Sequence, residues 1–210
     1  MTKSLTLLLA AFTCLQTVYS SDGPVTCGSA IKLLHDSSGG KYLLSSSEQS
    51  WGGGSGQQVV TLAPNAEAEH TTLWLVREGH GDPQCQAGTP IRCNSKIRLT
   101  HLTTQKNLHT HNTRSAITRQ QEVSGFGEAG EGDTADNWLV VCSGIWQRDM
   151  NVRLQHTETG AFLSAKKAAN FNEQNCRNCP ILHNLEVAGS GRNDANALFR
   201  AEIGVFISNE

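Results

Sequence analysis

The strongest constraint on the fold is a segment that occurs three times in the chain, at intervals of roughly 60 residues. Each copy opens with a five-residue run that ends in a histidine: His35, His101 and His156. Each copy closes on an aromatic residue in an apolar context: Trp74, Trp138 and Phe199. Two further short runs recur between these landmarks, so the whole segment is a structural repeat.

The runs within each copy alternate between polar and apolar residues and are separated by polar turns, which predicts β-strands. A unit of about four strands cannot bury its apolar face alone, whereas three units around one axis share a core and remove most open strand edges. We therefore predict an all-β, disulfide-linked β-trefoil, with units at residues 24–79, 88–143 and 145–203. The only helical segment expected within it is Lys166–Asn170.

The first 20 residues, Met1–Ser20, have the features of a signal peptide. Lys3 supplies a positive end, Leu5–Phe12 is a short apolar run, and Ser20 is a small residue at the expected cleavage point. The apolar run is too short to span a bilayer, and no later run approaches that length. The sequence therefore predicts entry into the secretory pathway without a membrane span.

Six cysteines remain once the leader with Cys14 is removed, and an even number in a secretory protein predicts a disulfide framework. Cys27 and Cys85 flank the first unit, and Cys93 and Cys142 occupy the same two places in the second. We predict that each of these pairs forms a disulfide. Cys176 and Cys179 are left over, and a local disulfide, a redox pair and a metal site are all open. The disulfide is favoured, because redox pairs usually sit at a helix amino terminus and none is evident here.

Composition and motifs argue against several functions. The net charge is −2 and the chain has no basic stripe, so nucleic acid is not an expected partner. The sequence contains no Gly-x-Ser-x-Gly, His-Glu-x-x-His or phosphate-loop motif, so we expect no enzyme activity and no cofactor. His109 and His111 share one strand face near His101, but no complete ligand set is visible, so a structural role is favoured over a metal site.

Candidate binding residues are polar and glycine-rich positions in the hairpins and the recurrent histidines. Glycines allow close approach of another backbone, and open units would present polar grooves. The candidates are Gly54, Gly56, Gln57, Gln58, His101, His109, His111, Gln120 and Gln121.

Several segments resemble the MIR repeats of the stromal cell-derived factor 2-like family: Val25–Ser29, Gly54–Gln58, Ile97–His101, Gln121–Ser124, Phe126–Glu128, Gly130–Asp133 and Asp136–Trp138. The resemblance implies a non-catalytic β-trefoil of the endoplasmic reticulum lumen. It further implies partnership with an Hsp40-type co-chaperone, the lumenal Hsp70 and unfolded client proteins. Two features depart from the family: the Cys176/Cys179 insertion, and a carboxyl end, Ile207–Glu210, that is not a retrieval tetrapeptide. Secretion is therefore left open.

A secreted carbohydrate-binding β-trefoil is the alternative interpretation. Such a protein needs an aromatic platform in each unit to stack against a sugar, and Tyr42 and Trp51 are the candidates in the first unit. The second unit has no equivalent apart from Trp138, which we expect to be buried. A trefoil protease inhibitor would need a rigid exposed loop, and the glycine-rich loops argue against it.

Overall fold

A computed structural model describes residues 23–64 and 71–208. The predicted signal peptide, residues 1–20, lies outside the described residues. Each repeat forms four antiparallel strands. The first has β1 (Ala30–His35), β2 (Tyr42–Ser50), β3 (Gln58–Pro64) and β4 (Trp74–Glu78); the second has β5 (Lys96–His101), β6 (Asn107–Arg114), β7 (Gln121–Phe126) and β8 (Trp138–Val141); the third has β9 (Arg153–His156), β10 (Phe162–Asn170), β11 (Leu185–Ser190) and β12 (Phe199–Val205).

Six strands form a barrel. β1, β4, β5, β8 and β9 pair in that order, and β12 pairs with β1 on the other side. A bridge between Val152 and Phe199 joins the start of the third unit to its last strand and closes the ring. Closure leaves no open edge in the barrel wall, which is the arrangement that three incomplete units need.

The other six strands form three hairpins that cap one end of the barrel. β2 pairs with β3, β6 with β7, and β10 with β11. The second strands of the hairpins, β3, β7 and β11, also pair with one another, so they close a triangle around the axis. Barrel and cap together make a β-trefoil, which confirms the predicted fold class.

The prediction of a helix at Lys166–Asn170 is wrong, because these residues end strand β10. The run is rich in lysine and alanine, which favour helix locally. Pairing with β11 overrides this preference: the ladder resumes at Asn170 opposite Leu185 after an irregularity, and Ala169 is buried.

The core joins one unit to the next through a recurrent pair of rings. His101 lies opposite Trp74, His156 opposite Trp138, and His35 opposite Phe199 in the barrel ladders. The ring centroids are 5.1, 5.2 and 5.1 Å apart, and all six side chains are buried. The recurrent histidines therefore have a structural role at the three unit boundaries.

The six cysteines form the pairs that the repeat predicts, together with a local bond in the third hairpin. Cys27–Cys85 and Cys93–Cys142 each tie the start of a unit to its end, with Cα atoms 6.2 and 5.0 Å apart. Cys176 and Cys179 are also bonded, with a Cα separation of 5.4 Å. In the described part of the chain, no helix is long and apolar enough to cross a membrane.

Candidate binding surface

The candidate residues lie mainly at the hairpin end of the molecule. Three loops meet there: residues 51–57 between β2 and β3, 115–120 between β6 and β7, and 171–184 between β10 and β11. Two grooves run between neighbouring units, and a pocket lies where the three loops converge. His101 is the exception among the candidates, since its buried ring packs on Trp74 at a unit boundary.

The first groove, between units one and two, encloses about 490 Å³ and is lined by Gly56, Gln57 and Gln58 with residues of the second hairpin. The Gln58 amide donates to Ser46 Oγ at 2.5 Å and to Thr104 Oγ1 at 2.8 Å. Thr104 Oγ1 is in turn hydrogen-bonded to His101 Nδ1 at 2.9 Å. His101 therefore supports the groove from behind instead of facing it.

The second groove, between units two and three, encloses about 430 Å³ and repeats this arrangement with Gln120 and Gln121 in its wall. Thr159 donates to Gln121 Oε1 at 3.0 Å, and Thr159 Oγ1 is hydrogen-bonded to His156 Nδ1 at 2.9 Å. Two unit boundaries therefore share one glutamine–threonine–histidine chain.

The third boundary departs from this symmetry. In the triangle of β3, β7 and β11, Gln58 lies opposite Gly125 and Gln121 lies opposite Gly189. The position of β11 that corresponds to these two glutamines is Leu185, which lies opposite Leu62. A Cβ at Gly189 would come within 2.9 Å of Gln121 Oε1, so the glycine provides the space that the glutamine occupies. A leucine side chain cannot donate or accept, so the glutamine–threonine–histidine chain is not repeated at this boundary.

His109 and His111 belong to a line of polar groups that runs from the interior to the first hairpin loop. His109 Nδ1 lies 2.9 Å from Asp136 Oδ1, and His109 Nε2 lies 3.0 Å from His111 Nδ1. His111 Nε2 is 3.9 Å from Glu122 Oε1, which also accepts a hydrogen bond from Ser55 Oγ. Burial lowers the pKa of His111, with the neighbouring His109 adding to the effect, and burial raises the pKa of Glu122.

Donor atoms of His109, Asp133 and Asp136 lie close enough together to hold a metal ion. Each is already used: Asp136 accepts from the Asp133 amide at 3.0 Å and from Asn107 at 2.9 Å, and Asp133 accepts from the Ala135 amide at 2.9 Å. The two backbone amide bonds cap the 3₁₀ turn Thr134–Asp136, and the bond from Asn107 ties that turn to β6. His101 is not part of this group. The sequence analysis contained Asp136 and Glu122 only within the segments that resemble the family, and it did not predict their buried contacts with His109 and Ser55.

The two buried glutamates of the cap hold loops in place. Glu122 binds Ser55 of the first hairpin loop. Glu186 accepts hydrogen bonds from the amides of Ile117 and Thr118 and from the Thr118 hydroxyl, at 2.5, 2.9 and 2.5 Å. Both carboxylates are thus engaged in positioning the loops around the grooves, an arrangement suited to binding.

The central pocket encloses about 470 Å³ where the three loops converge. Its floor belongs to a small hydrophobic cluster separate from the barrel core: Trp51, Val59, Phe171 and Ile181. Trp51 is 9% exposed, its ring lies 5.9 Å from that of Phe171, and its Nε1 donates to the Val123 carbonyl at 3.2 Å. Trp51 is therefore part of the cap's packing and not the exposed platform that the sugar-binding alternative requires.

The structure brings Gly56, Gln57 and Gln58 into one groove, Gln120 and Gln121 into another, and Gly54 into the pocket wall. His109 is buried and His111 is partly exposed, and His101 is buried behind the first groove. A binding role for these nine residues stays a prediction, and Thr104, Thr159 and Glu122 join them as supporting residues.

Comparison with known proteins agrees with this geometry. A family model described as MIR domain matches residues 23–178. Stromal cell-derived factor 2-like protein 1 of Mus musculus is 42% identical over 189 residues, which cover 90% of this chain and 80% of that protein. Stromal cell-derived factor 2 of Homo sapiens is 41% identical over 189 residues, which cover 90% of this chain and 84% of that protein.

Among solved structures, the crystal structure of the SDF2-like protein from Arabidopsis thaliana superposes with a TM-score of 0.80 at 32% identity. The superposition covers 90% of this chain and 100% of that one. The matches thus span nearly the whole trefoil, hairpin cap included. The chain therefore belongs to the MIR domain family and, within it, to the group of stromal cell-derived factor 2 and SDF2-like proteins.

Proposed function

We propose that this protein is a non-catalytic accessory of protein quality control in the endoplasmic reticulum lumen. It binds an Hsp40-type co-chaperone with the lumenal Hsp70, and it binds unfolded client proteins. The observation that carries the proposal is the 41–42% identity to stromal cell-derived factor 2 proteins over 90% of the chain.

The architecture supports a docking role. One long-range disulfide joins the start of each of the first two units to its end. Buried ring pairs join each unit to the next. The grooves present amide, hydroxyl and charged side chains together with glycines, and these groups can hydrogen-bond a polypeptide backbone. Every polypeptide backbone carries donors and acceptors that such groups can pair with, so the grooves are suited to binding varied protein surfaces.

The covalent framework supports a lumenal location. Three disulfides among the described residues are typical of a protein that folds in an oxidising compartment. The relatives and the disulfides agree on the secretory pathway, and residence in the endoplasmic reticulum is part of the proposal.

Co-purification tests the proposal directly. The full chain, expressed with its leader and an internal-loop tag, is purified from lumenal extract and its partners are identified by mass spectrometry. We expect both an Hsp40-type protein and Hsp70. In a second arm, the purified protein with the Hsp40 partner suppresses light scattering by a chemically denatured client enzyme. Absence of both chaperones together with unchanged scattering would overturn the proposal.

A groove variant sharpens this experiment. A Cβ at Gly191 meets nothing within 4 Å, and its φ lies outside the left-handed region, so Gly191→Trp fills the second groove without disturbing the backbone. Ser143 is exposed and lines neither groove nor the central pocket, so Ser143→Trp is the matched control for surface tryptophan. If the second groove takes part in docking, only Gly191→Trp reduces chaperone recovery.

The carbohydrate-binding alternative keeps one favourable observation, namely that both grooves are lined mainly by polar side chains and glycine. The burial of Trp51 counts against it. A glycan array probed with the purified protein separates the two functions: a specific sugar signal that Gly191→Trp abolishes would favour the alternative.

A further inference from the structure

We infer that the central pocket of the hairpin cap binds a peptide segment in which a large apolar side chain is followed by a carboxylate. The inference deepens the proposed function and rests on it, since it names the class of client segment that the protein would hold. The pocket's floor, charge and walls each point to such a segment.

The floor is apolar and preformed. Trp51 and Val59 come from the first hairpin, and Phe171 and Ile181 come from the third. The partly buried Ile117 of the second hairpin's loop packs against this cluster without lining the pocket. These side chains pack on one another outside the barrel core, so the cap keeps its own hydrophobic cluster at the surface. A volume of about 470 Å³ is large enough for a leucine or phenylalanine side chain with its flanking backbone.

The rim is positive. Arg114 and Arg119 line the pocket on the side that it shares with the second groove, and Arg114 Nη1 donates to the Arg119 carbonyl at 3.2 Å, which holds the two residues together. Among the ion pairs of the described residues, none involves either arginine. The pocket's described lining contains no acidic residue. A carboxylate therefore complements the charge, and guanidinium groups bind carboxylates through paired hydrogen bonds.

The remaining walls suit an extended chain. Gly52, Gly53 and Gly54 are exposed along one side, so their backbone groups are open to a neighbouring polypeptide. The Cys176–Cys179 bond forms part of the opposite wall. Exposed backbone next to an apolar floor favours a peptide, because a free fatty acid has no donor for backbone carbonyls and accepts hydrogen bonds only at its carboxylate.

Fluorescence anisotropy of the full mature chain tests the inference. The probes are three fluorescein-labelled, amidated hexapeptides that differ at two positions: one with Phe-Asp at its centre, one with Phe-Asn and one with Ser-Asp. We expect the Phe-Asp peptide to bind at least about tenfold more tightly than either of the others. Equal binding of Phe-Asp and Phe-Asn would overturn the role of the arginines, and with it the inference.

Variants locate the binding. Arg114→Gln with Arg119→Gln reduces affinity for the Phe-Asp peptide about tenfold and leaves the weak binding of Phe-Asn unchanged. Gly53→Trp, at a position where a Cβ meets nothing within 4 Å, abolishes binding by filling the pocket. Arg192→Gln, which changes an exposed arginine outside the pocket, is the matched control and binds as the unaltered protein does. Binding that survives Gly53→Trp would overturn the inference.

Two readouts keep the outcomes distinct. The other three tryptophans are fully buried in the core, so a change in emission on peptide addition that Trp51→Phe removes reports this pocket. Displacement of the peptide by laurate at equal concentration would assign the pocket to a lipid and overturn the peptide inference. Peptide binding without chaperone partners would overturn the proposed function alone, and chaperone recovery without peptide binding would overturn this inference alone.

Discussion

His101 lies directly opposite Trp74 in the ladder between β4 and β5, with ring centroids 5.1 Å apart, although the two residues belong to different repeats. The indole of Trp74 also donates to the Leu44 carbonyl at 3.0 Å, which ties the barrel to the first hairpin. Trp138 does the same with Leu108 at 2.8 Å and faces His156 of the third repeat. In the first two repeats, one tryptophan thus joins its own hairpin to the next repeat.

Replacing one of these tryptophans tests the junction. Trp138→Phe removes the hydrogen bond to the buried Leu108 carbonyl, which should lower the free energy of unfolding by about 1–3 kcal/mol. Trp74→Phe should cost a similar amount, because its contacts are equivalent. Urea unfolding followed by far-ultraviolet circular dichroism measures both. A neutral effect of both changes would show that the hydrogen bonds do not stabilise the fold.

The buried histidines predict a dependence of stability on pH. Burial lowers the pKa of four histidines below their ordinary value of 6.5: His35, His101, His111 and His156. Between the lowered pKa values and 6.5 the unfolded chain binds more protons than the folded one. The stabilising contribution is therefore fully present above pH 6.5 and is lost as the pH falls through the lowered values.

Urea unfolding at pH 7.5 and 5.5 checks this dependence, and we expect a smaller free energy of unfolding at pH 5.5. Glu122 works in the opposite direction, because its raised pKa stabilises the fold at low pH and this contribution is lost as the pH rises through its folded-state pKa. The variant His111→Gln should show a smaller acid-induced loss than the unaltered protein. Equal or greater stability at pH 5.5 would contradict the prediction.

The two groove glutamines differ in burial, which predicts different costs. Gln58 is 7% exposed and holds Ser46 and Thr104, so Gln58→Ala should lower the free energy of unfolding by about 1–3 kcal/mol. Gln121 is only half-buried, so Gln121→Ala should cost less than about 1 kcal/mol. Thermal denaturation compares the two. A larger loss of stability for Gln121→Ala than for Gln58→Ala would show that the hydrogen bonds of Gln58 do not stabilise the first groove.

Neighbouring glycines offer a matched test of the first hairpin loop. Gly54 has φ +100°, and a Cβ there would overlap the Glu122 carboxylate, so Gly54→Ala should cost at least about 2 kcal/mol. A Cβ at Gly53 meets nothing within 4 Å, so Gly53→Ala should change stability by less than about 0.5 kcal/mol. Denaturant midpoints of the two variants give the comparison, and similar midpoints would argue against the contact between the loop and Glu122.

The disulfides should contribute according to the loops that they close. Replacing both Cys27 and Cys85, which are 58 residues apart, should cost about 4 kcal/mol in the chain-entropy model. Replacing Cys176 and Cys179, only 3 residues apart, should cost about 2 kcal/mol or less, and it should weaken peptide binding because the bond forms part of the pocket wall. Guanidinium unfolding and peptide anisotropy measure the two effects. Equal costs for the two bonds would contradict the entropic explanation.

Much of the architecture depends on periodicity and spacing, which a sequence displays directly. The recurrence of a histidine and an aromatic residue indicated three units, and their closure into a trefoil followed because no unit buries its own face. Cys27 with Cys85, and Cys93 with Cys142, took their pairing from equivalent places in two repeats. The prediction for Lys166–Asn170 went wrong because local composition favours helix, whereas pairing with β11 is a tertiary interaction.

The sequence by itself therefore determined the β-trefoil, its two long disulfides and its family, since these follow from repeats and local patterns. Only the tertiary structure decided what lies next to what at the hairpin end. Trp51, Arg114 and Phe171 come from three different repeats and meet because β3, β7 and β11 close around one axis. Nothing in the local sequence around any of them indicates that meeting, since it is produced by the threefold closure.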